Sequence, residues 1–197
     1  VHLIKTDKFK TNLLAVFLTT PLKKENVTKN AIIPAVLRRG TETMQTQDEI
    51  SKALEEMYGA SYNCGIDKTG DNQVIKFYLE TISDEFLPQK EELLQIAIHK
   101  IIEIAFKPLT ENEAFKEEYV KSEKANLKQI IEGKKDNKNQ YSMERCVETM
   151  YENKPYGLYK YGDIKELESI SAKDLYEYYK ELISKCKIDI FVSGKVD

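Results

Sequence analysis

Apolar residues run without a break from Leu13 to Leu18, and Thr19-Thr20-Pro21 closes the run. This predicts a strand within the first 22 residues, covered on both faces. Val1 to Ile4 is predicted to pair with it across a turn near Asp7-Lys8-Phe9-Lys10. From 27 to 37 the apolar positions Val27, Ile32, Ile33, Val36 and Leu37 suggest a helix interrupted by Pro34. Gly40, after Arg38-Arg39, is placed to supply its C-terminal turn. Thr46-Gln47-Asp48-Glu49 is a capping box. It opens a helix with Ile50, Leu54 and Met57 on one face, ended by Gly59. Strands at about 60–68 and 73–82 flank the turn Thr69-Gly70-Asp71-Asn72.

The second half reads mainly as helix. Residues 89–106 present a broad apolar face, and Pro108 stops them. Thr110-Glu111-Asn112-Glu113 has the capping-box pattern and predicts a long helix from there to about Glu132. A polar break at 133–137 precedes a helix over 138–152, which ends before Pro155-Tyr156-Gly157. Ser171 caps a helix carrying Leu175, Tyr178, Tyr179 and Leu182, and the chain finishes in a strand over 188–192. Strands, helices, hairpin, helices, strand is not a βαβ alternation. The fold class is therefore α+β, with a mixed sheet of four to six strands and helices mainly on one face. No boundary divides residues 1–197, so they are taken as a single domain.

Composition narrows the setting. Thirty Lys and Arg against 33 Asp and Glu give a net charge of −3, which lacks the basic footprint of a nucleic-acid binder. No apolar run approaches the roughly 20 residues of a membrane span. The reading is a cytoplasmic protein with no nucleic-acid or membrane partner. Val1 is not an initiator Met, which leaves room for a removed leader. The three cysteines, Cys64, Cys146 and Cys186, form no Cys-x-x-Cys pair and read as reduced thiols.

Little catalytic chemistry stands out locally. The only histidines are His2 and His99, and His99 is read as a boundary or core residue of its apolar helix. No zinc-ligand spacing, nucleophile elbow or phosphate loop is present. Cys64 has no sequence-local base and reads as a structural thiol.

Four stretches in order carry more weight. They are Arg38-Arg39-Gly40-Thr41 with the helix to Met57 and the segment 58–64; the segment 117–123; Pro155-Tyr156-Gly157; and Ile170 to Leu175 followed by a closing strand into Gly194-Lys195-Val196-Asp197. This order resembles one half of the pitrilysin/insulinase family of zinc peptidases, which includes the mitochondrial processing peptidases, and within it a non-catalytic bacterial branch. In active members of that family a His-x-x-Glu-His motif on a helix binds zinc, its glutamate acts as base, and a distal glutamate completes the site. By the resemblance, that slot falls here on Ala31, Pro34 and Ala35, so the two histidines and the glutamate are all missing. Glu123 matches the distal glutamate.

The resemblance implies a catalytically degenerate metallopeptidase-like domain with no catalytic residue, no metal and no cofactor, where active relatives use zinc. It also implies the N-terminal half of a longer chain. The expected partners are an active homologue or a missing C-terminal half, and a peptide or unfolded segment. In the family, peptide adds as a strand to the sheet edge that matches Ala60, Ser61, Tyr62, Asn63 and Cys64. The alternative reading is an enzyme: a zinc endopeptidase using displaced ligands or completed by a missing segment or partner, or a different reaction at Cys64 and Glu123.

Overall fold

The structure is a computed structural model that describes residues 1–89 and 91–195; Val196 and Asp197, which close the motif at the C-terminus, lie outside it. Its main sheet has five strands in the order β1-β7-β2-β4-β3: β1 His2–Lys5, β2 Thr11–Pro21, β3 Ser61–Thr69, β4 Asn72–Ile82 and β7 Lys187–Gly194. A small hairpin pairs β5 Thr110–Glu111 with β6 Ala114–Phe115. The helices are α1 Lys24–Leu37, α2 Gln47–Glu56, α3 Leu93–Phe106, α4 Glu117–Glu132, α5 Lys138–Met150, α6 Ile164–Ser169 and α7 Ala172–Lys185.

The mixed α+β sheet is the expected one, and the last strand joins β2 in it, with Val16 opposite Ile190. Alternation along the strands explains where the core lies. Leu14, Val16 and Leu18 of β2, and Ile75, Phe77 and Leu79 of β4, are almost fully buried in one cluster with Ile32, Ile33 and Leu37 of α1, Ala97 and Ile101 of α3 and Leu175 of α7. The opposite face differs from the two-sided cover that the apolar run suggested. There Leu13 is exposed, and Phe17 packs against its neighbours' rings, edge-on to Tyr78 at 5.6 Å and tilted to Phe191 at 5.4 Å. Ala15, opposite both Tyr78 and Phe191 in register, is buried in this ring ladder.

Other local expectations are corrected. β1 does not pair with β2; it runs parallel to β7, with His2 opposite Phe191. A residue at Gly40 with a Cβ would meet the Gln45 carbonyl oxygen at 2.7 Å, so this glycine allows a close backbone approach and does not form a left-handed helix cap. Thr41, next to it, is buried: its hydroxyl donates to Glu103 at 2.6 Å and accepts from the Met44 N–H at 3.0 Å. The capping-box pattern at 110–113 instead forms a hairpin turn. Asn112 and Glu113 both take positive φ, 51° and 58°, and α4 begins only at Glu117. Between Lys107 and the start of α4, this hairpin buries Phe115 against the rings of Tyr176 and Tyr179. α3 starts at Leu93, later than expected, and α6, capped by Asp163, had no periodic signal. His99 is exposed on α3, with Nδ1 2.8 Å from the Gln95 carbonyl, and is no core residue.

A buried polar network fixes α1 on the sheet. Asn30 donates to the Gln73 side chain at 2.9 Å and accepts from the Tyr178 hydroxyl at 2.8 Å. Gln73 in turn donates to the carbonyls of Val27 and Lys160. Each polar group has partners, so the network can specify one seating of the helix without leaving buried groups unpaired.

Candidate degenerate zinc slot and sheet edge

Residues 31, 34 and 35 stand at i, i+3 and i+4, so they share one face of α1. That face meets β3 and α4. Ala31, Pro34 and Ala35 line a pocket of about 160 Å³. Cys64, Gly65 and Ile66 supply the β3 wall, and Glu123, Asn126, Leu127 and Ile130 the α4 wall. The fold thus brings Ala31, Pro34, Ala35, Glu123 and Cys64 together, although Cys64 and Glu123 are remote in sequence from α1. A larger hollow of about 590 Å³ opens between the start of α1 and residues 151–158. Its charged lining residues, Lys23, Lys24, Glu25, Glu148, Glu152 and Lys154, are of mixed sign.

Glu123 is buried, and both its oxygens are engaged. Arg39 Nε donates to Oε1, and Asn126 Nδ2 donates to Oε2 at 3.1 Å. Arg39 also donates from Nη2 to Ser122 Oγ at 3.2 Å. A buried carboxylate needs a compensating charge, and here a guanidinium supplies it. Cys64 Sγ donates to the Pro34 carbonyl at 3.3 Å. Burial pushes its pKa up, against the pull of Tyr62 and Arg38, so the thiol stays neutral at ordinary pH. Catalytic zinc needs three protein ligands. The slot offers one carboxylate already held by arginine and one neutral thiol, and among the described residues no group of three or more His, Cys, Asp or Glu could hold a metal. The residues present do not fit zinc.

Pro34 lies in the last turn of α1, inside the helix. It has no N–H to give the Asn30 carbonyl, an interior proline typically costing about 3 kcal/mol. α1 nevertheless continues to Leu37, held by burial of Ile32, Ile33, Val36 and Leu37.

β3 is the last strand of the sheet. Two hydrogen bonds set the direction in which its backbone points. Leu22 N–H donates to the Asp71 carbonyl and Ser83 N–H to the Lys10 carbonyl, both at 2.8 Å, so odd-numbered residues of β4 address β2. Even-numbered residues of β4 then address β3 through its odd-numbered residues. The N–H and C=O groups of Tyr62, Cys64 and Ile66 therefore face away from the sheet. Asn63 addresses β4, and the Ala60 N–H is already given to the Leu54 carbonyl at 2.9 Å. Ser61 and Asn63 are exposed, while Tyr62 and Cys64 are half-buried toward the helices. The far end of the edge is closed. Lys68 donates its N–H to Asp67, and its ammonium group to the carbonyls of Tyr156 and Leu158 at 2.7 and 3.0 Å.

Sequence reasoning missed Arg38, Asn126 and Tyr161, all lining the pocket, and the dominant role of Arg39. Asn126, three residues after Glu123 on the same helix face, was the one with a local signal. No helix among the described residues is long and apolar enough to cross a membrane.

No protein-family model matches the chain. A protein of Bacillus subtilis (strain 168) named "Probable inactive metalloprotease YmfF" is 38% identical over 196 residues, covering 100% of this chain and 46% of that protein. The chain thus spans about half the length of this relative. Among solved structures, a conserved protein from Enterococcus faecalis V583 is 28% identical with a TM-score of 0.91, covering 99% of this chain and 46% of that one. A peptidase M16 inactive domain from Pseudomonas fluorescens shares the fold at 17% identity and a TM-score of 0.74, covering 99% and 44%. Pitrilysin shares it at 14% identity and a TM-score of 0.64, covering 99% and 20%.

Proposed function

Since this chain is a degenerate, peptidase-like domain of the pitrilysin/insulinase family, we propose that it holds an extended peptide and does not cut it. It would do so beside a catalytically competent homologue or a second half of its own chain, in the cytoplasm. The observation that carries this is the open edge of β3. Three outward backbone N–H groups, those of Tyr62, Cys64 and Ile66, have no hydrogen-bond partner among the described residues, and they run beside the slot. An added strand would satisfy them by main-chain pairing, which reads little of the peptide's sequence. Ser61 and Asn63, exposed on the other face of β3, and Ala60, at its entry, would border the bound strand. The three cysteines are free, as a reducing compartment requires.

The reading as an active zinc endopeptidase needs ligands from outside the described pocket, because Glu123 is committed to Arg39. No observation favours it.

Titration of unstructured peptides against three folded variants tests the proposal. Cys64→Pro deletes an outward N–H, which an edge strand tolerates, and should weaken binding. Cys64→Ala keeps that N–H and should bind like the wild type. Asn63→Pro deletes an N–H directed at β4 and should destabilise the hairpin itself. Equal binding by folded Cys64→Pro and wild type would remove β3 as the docking edge. Stoichiometric zinc in the purified protein, or peptide cleavage dependent on it, would restore the enzyme reading.

A further inference from the structure

We infer that the ligand-free slot has become an anion site, which receives the carboxylate of an acidic side chain on a peptide lying along β3. This rests on the strand-addition reading above and names the chemistry that would be selected. The family slot holds a metal cation, so the inference reverses the sign of the charge that the pocket takes.

Two observations carry it. First, Arg38 lines the pocket and has no carboxylate partner among the described residues. Its neighbour Arg39 is spent on Glu123. Second, Glu123 is the pocket's only carboxylate, and both its oxygens are occupied, by Arg39 and by Asn126. It has little left to offer a cation, while the Arg38 guanidinium, on the same pocket wall as the neutral Cys64 thiol it touches, is held by no carboxylate among the described residues.

The peptide's backbone would pair with the outward groups of Tyr62, Cys64 and Ile66. One of its side chains would then pass over β3 toward α1. Ala31 and Ala35 leave space there, and Ile66 offers apolar surface to its methylenes. The carboxylate at its tip would meet Arg38. Arg38 at the helix end is exposed, so a bound carboxylate there stays sensitive to salt.

The test compares C-terminally amidated peptides identical except for Glu, Gln or Lys at the central position, together with the Gln peptide as a free acid, by calorimetric titration. The Glu peptide is expected to bind about fivefold to tenfold more tightly than the Gln peptide, the range of a charge-assisted hydrogen bond that is partly exposed. Arg38→Ala and Arg38→Gln should erase that preference, bringing the Glu peptide to the affinity of the Gln peptide. Circular dichroism confirms that each variant is folded. In addition, ¹⁵N spectra should show shifts at Cys64 with N-acetylglutamate amide and none with N-acetylglutamine amide. Binding of all peptides without preference, tightest binding of the Lys peptide, or a gain only for the free-acid Gln peptide would overturn the anion site and leave strand addition standing. Failure of every peptide to bind would remove both.

Discussion

Arg39→Met isolates the pair that stabilises the slot in place of a metal. The Arg39 side chain is 25% exposed and that of Glu123 is 7% exposed, so the carboxylate depends on its partner far more than the reverse. Methionine retains the length and apolar stem of arginine but denies Glu123 its charge. Breaking a fully buried pair costs about 3–5 kcal/mol, and the partial exposure of Arg39 lowers the expectation to about 3 kcal/mol. At this chain length that is a fall of roughly 6–12 °C in Tm. Urea unfolding followed by circular dichroism and by tyrosine fluorescence measures it, with coincidence of the two probes checking two-state behaviour. Glu123→Gln alone should cost less, because its amide oxygen still accepts from Arg39 and the guanidinium can reach water. The double variant Arg39→Met with Glu123→Gln should be more stable than Arg39→Met alone, by about 1 kcal/mol or more, since the unpaired charge is gone. A loss under about 1 kcal/mol for Arg39→Met, or additive effects in the cycle, would refute the claim that the guanidinium is what holds Glu123 in the core.

Restoring the family's ligands by Ala31→His, Pro34→Glu and Ala35→His should give zinc binding in equilibrium dialysis. Adding Arg39→Gln should tighten it by freeing Glu123, and no zinc uptake in either variant would contradict the slot assignment. Stability should also respond to acid through Glu103. Burial alone would raise its pKa, but hydrogen bonds from Thr41 and Thr43 and the charge of Lys100 outweigh that and hold it below the ordinary carboxylate value. A depressed carboxylate contributes stability that is present above its unfolded pKa and is lost as pH falls through the folded one. Urea midpoints measured from about pH 6 downward through the ordinary carboxylate range should therefore decline less steeply in Glu103→Gln than in the wild type; parallel curves would exclude this carboxylate as a contributor.

Local signals were legible where one element's own residues decide the outcome. Thr46 caps α2 by accepting from the Glu49 N–H at 3.2 Å, and Ser171 caps α7 by accepting from the Asp174 N–H at 3.1 Å. Gly70 turns the β3–β4 hairpin at positive φ. The failures have a common cause in competition from distant partners. The Thr-x-x-Glu pattern at 110–113 is compatible with a helix start, but burying Phe115 between Tyr176 and Tyr179 selects the hairpin, and those tyrosines are 61 and 64 positions away. β1 pairs with β7 at the other end of the chain, and its four residues are all exposed, so no alternation marks its partner. At the slot, the absence of metal ligands was readable from Ala31, Pro34 and Ala35 by spacing once the family resemblance placed them. The capture of Glu123 by Arg39 was not, because the two are 84 residues apart and either would pass as a solvated charge.

Loss of the ligands does not by itself dissolve such a site. Glu123 remains in the core, where an uncompensated carboxylate would be costly, and the protein answers with a guanidinium from the end of α1. Pro34 removes a helical donor, yet α1 is held from several sides, by the apolar cluster and by Asn30 joining Gln73 to Tyr178. The scaffold around the slot is thus held by contacts that involve no metal. Metal chemistry requires particular side chains at 31, 34 and 35, whereas strand addition requires only the backbone of β3 and a neighbouring wall that does not move. A fold can therefore lose the first function without disturbing the second. Where the slot takes no metal, the pocket beside the edge is free to read a side chain, and the proposed reader is the charge of Arg38.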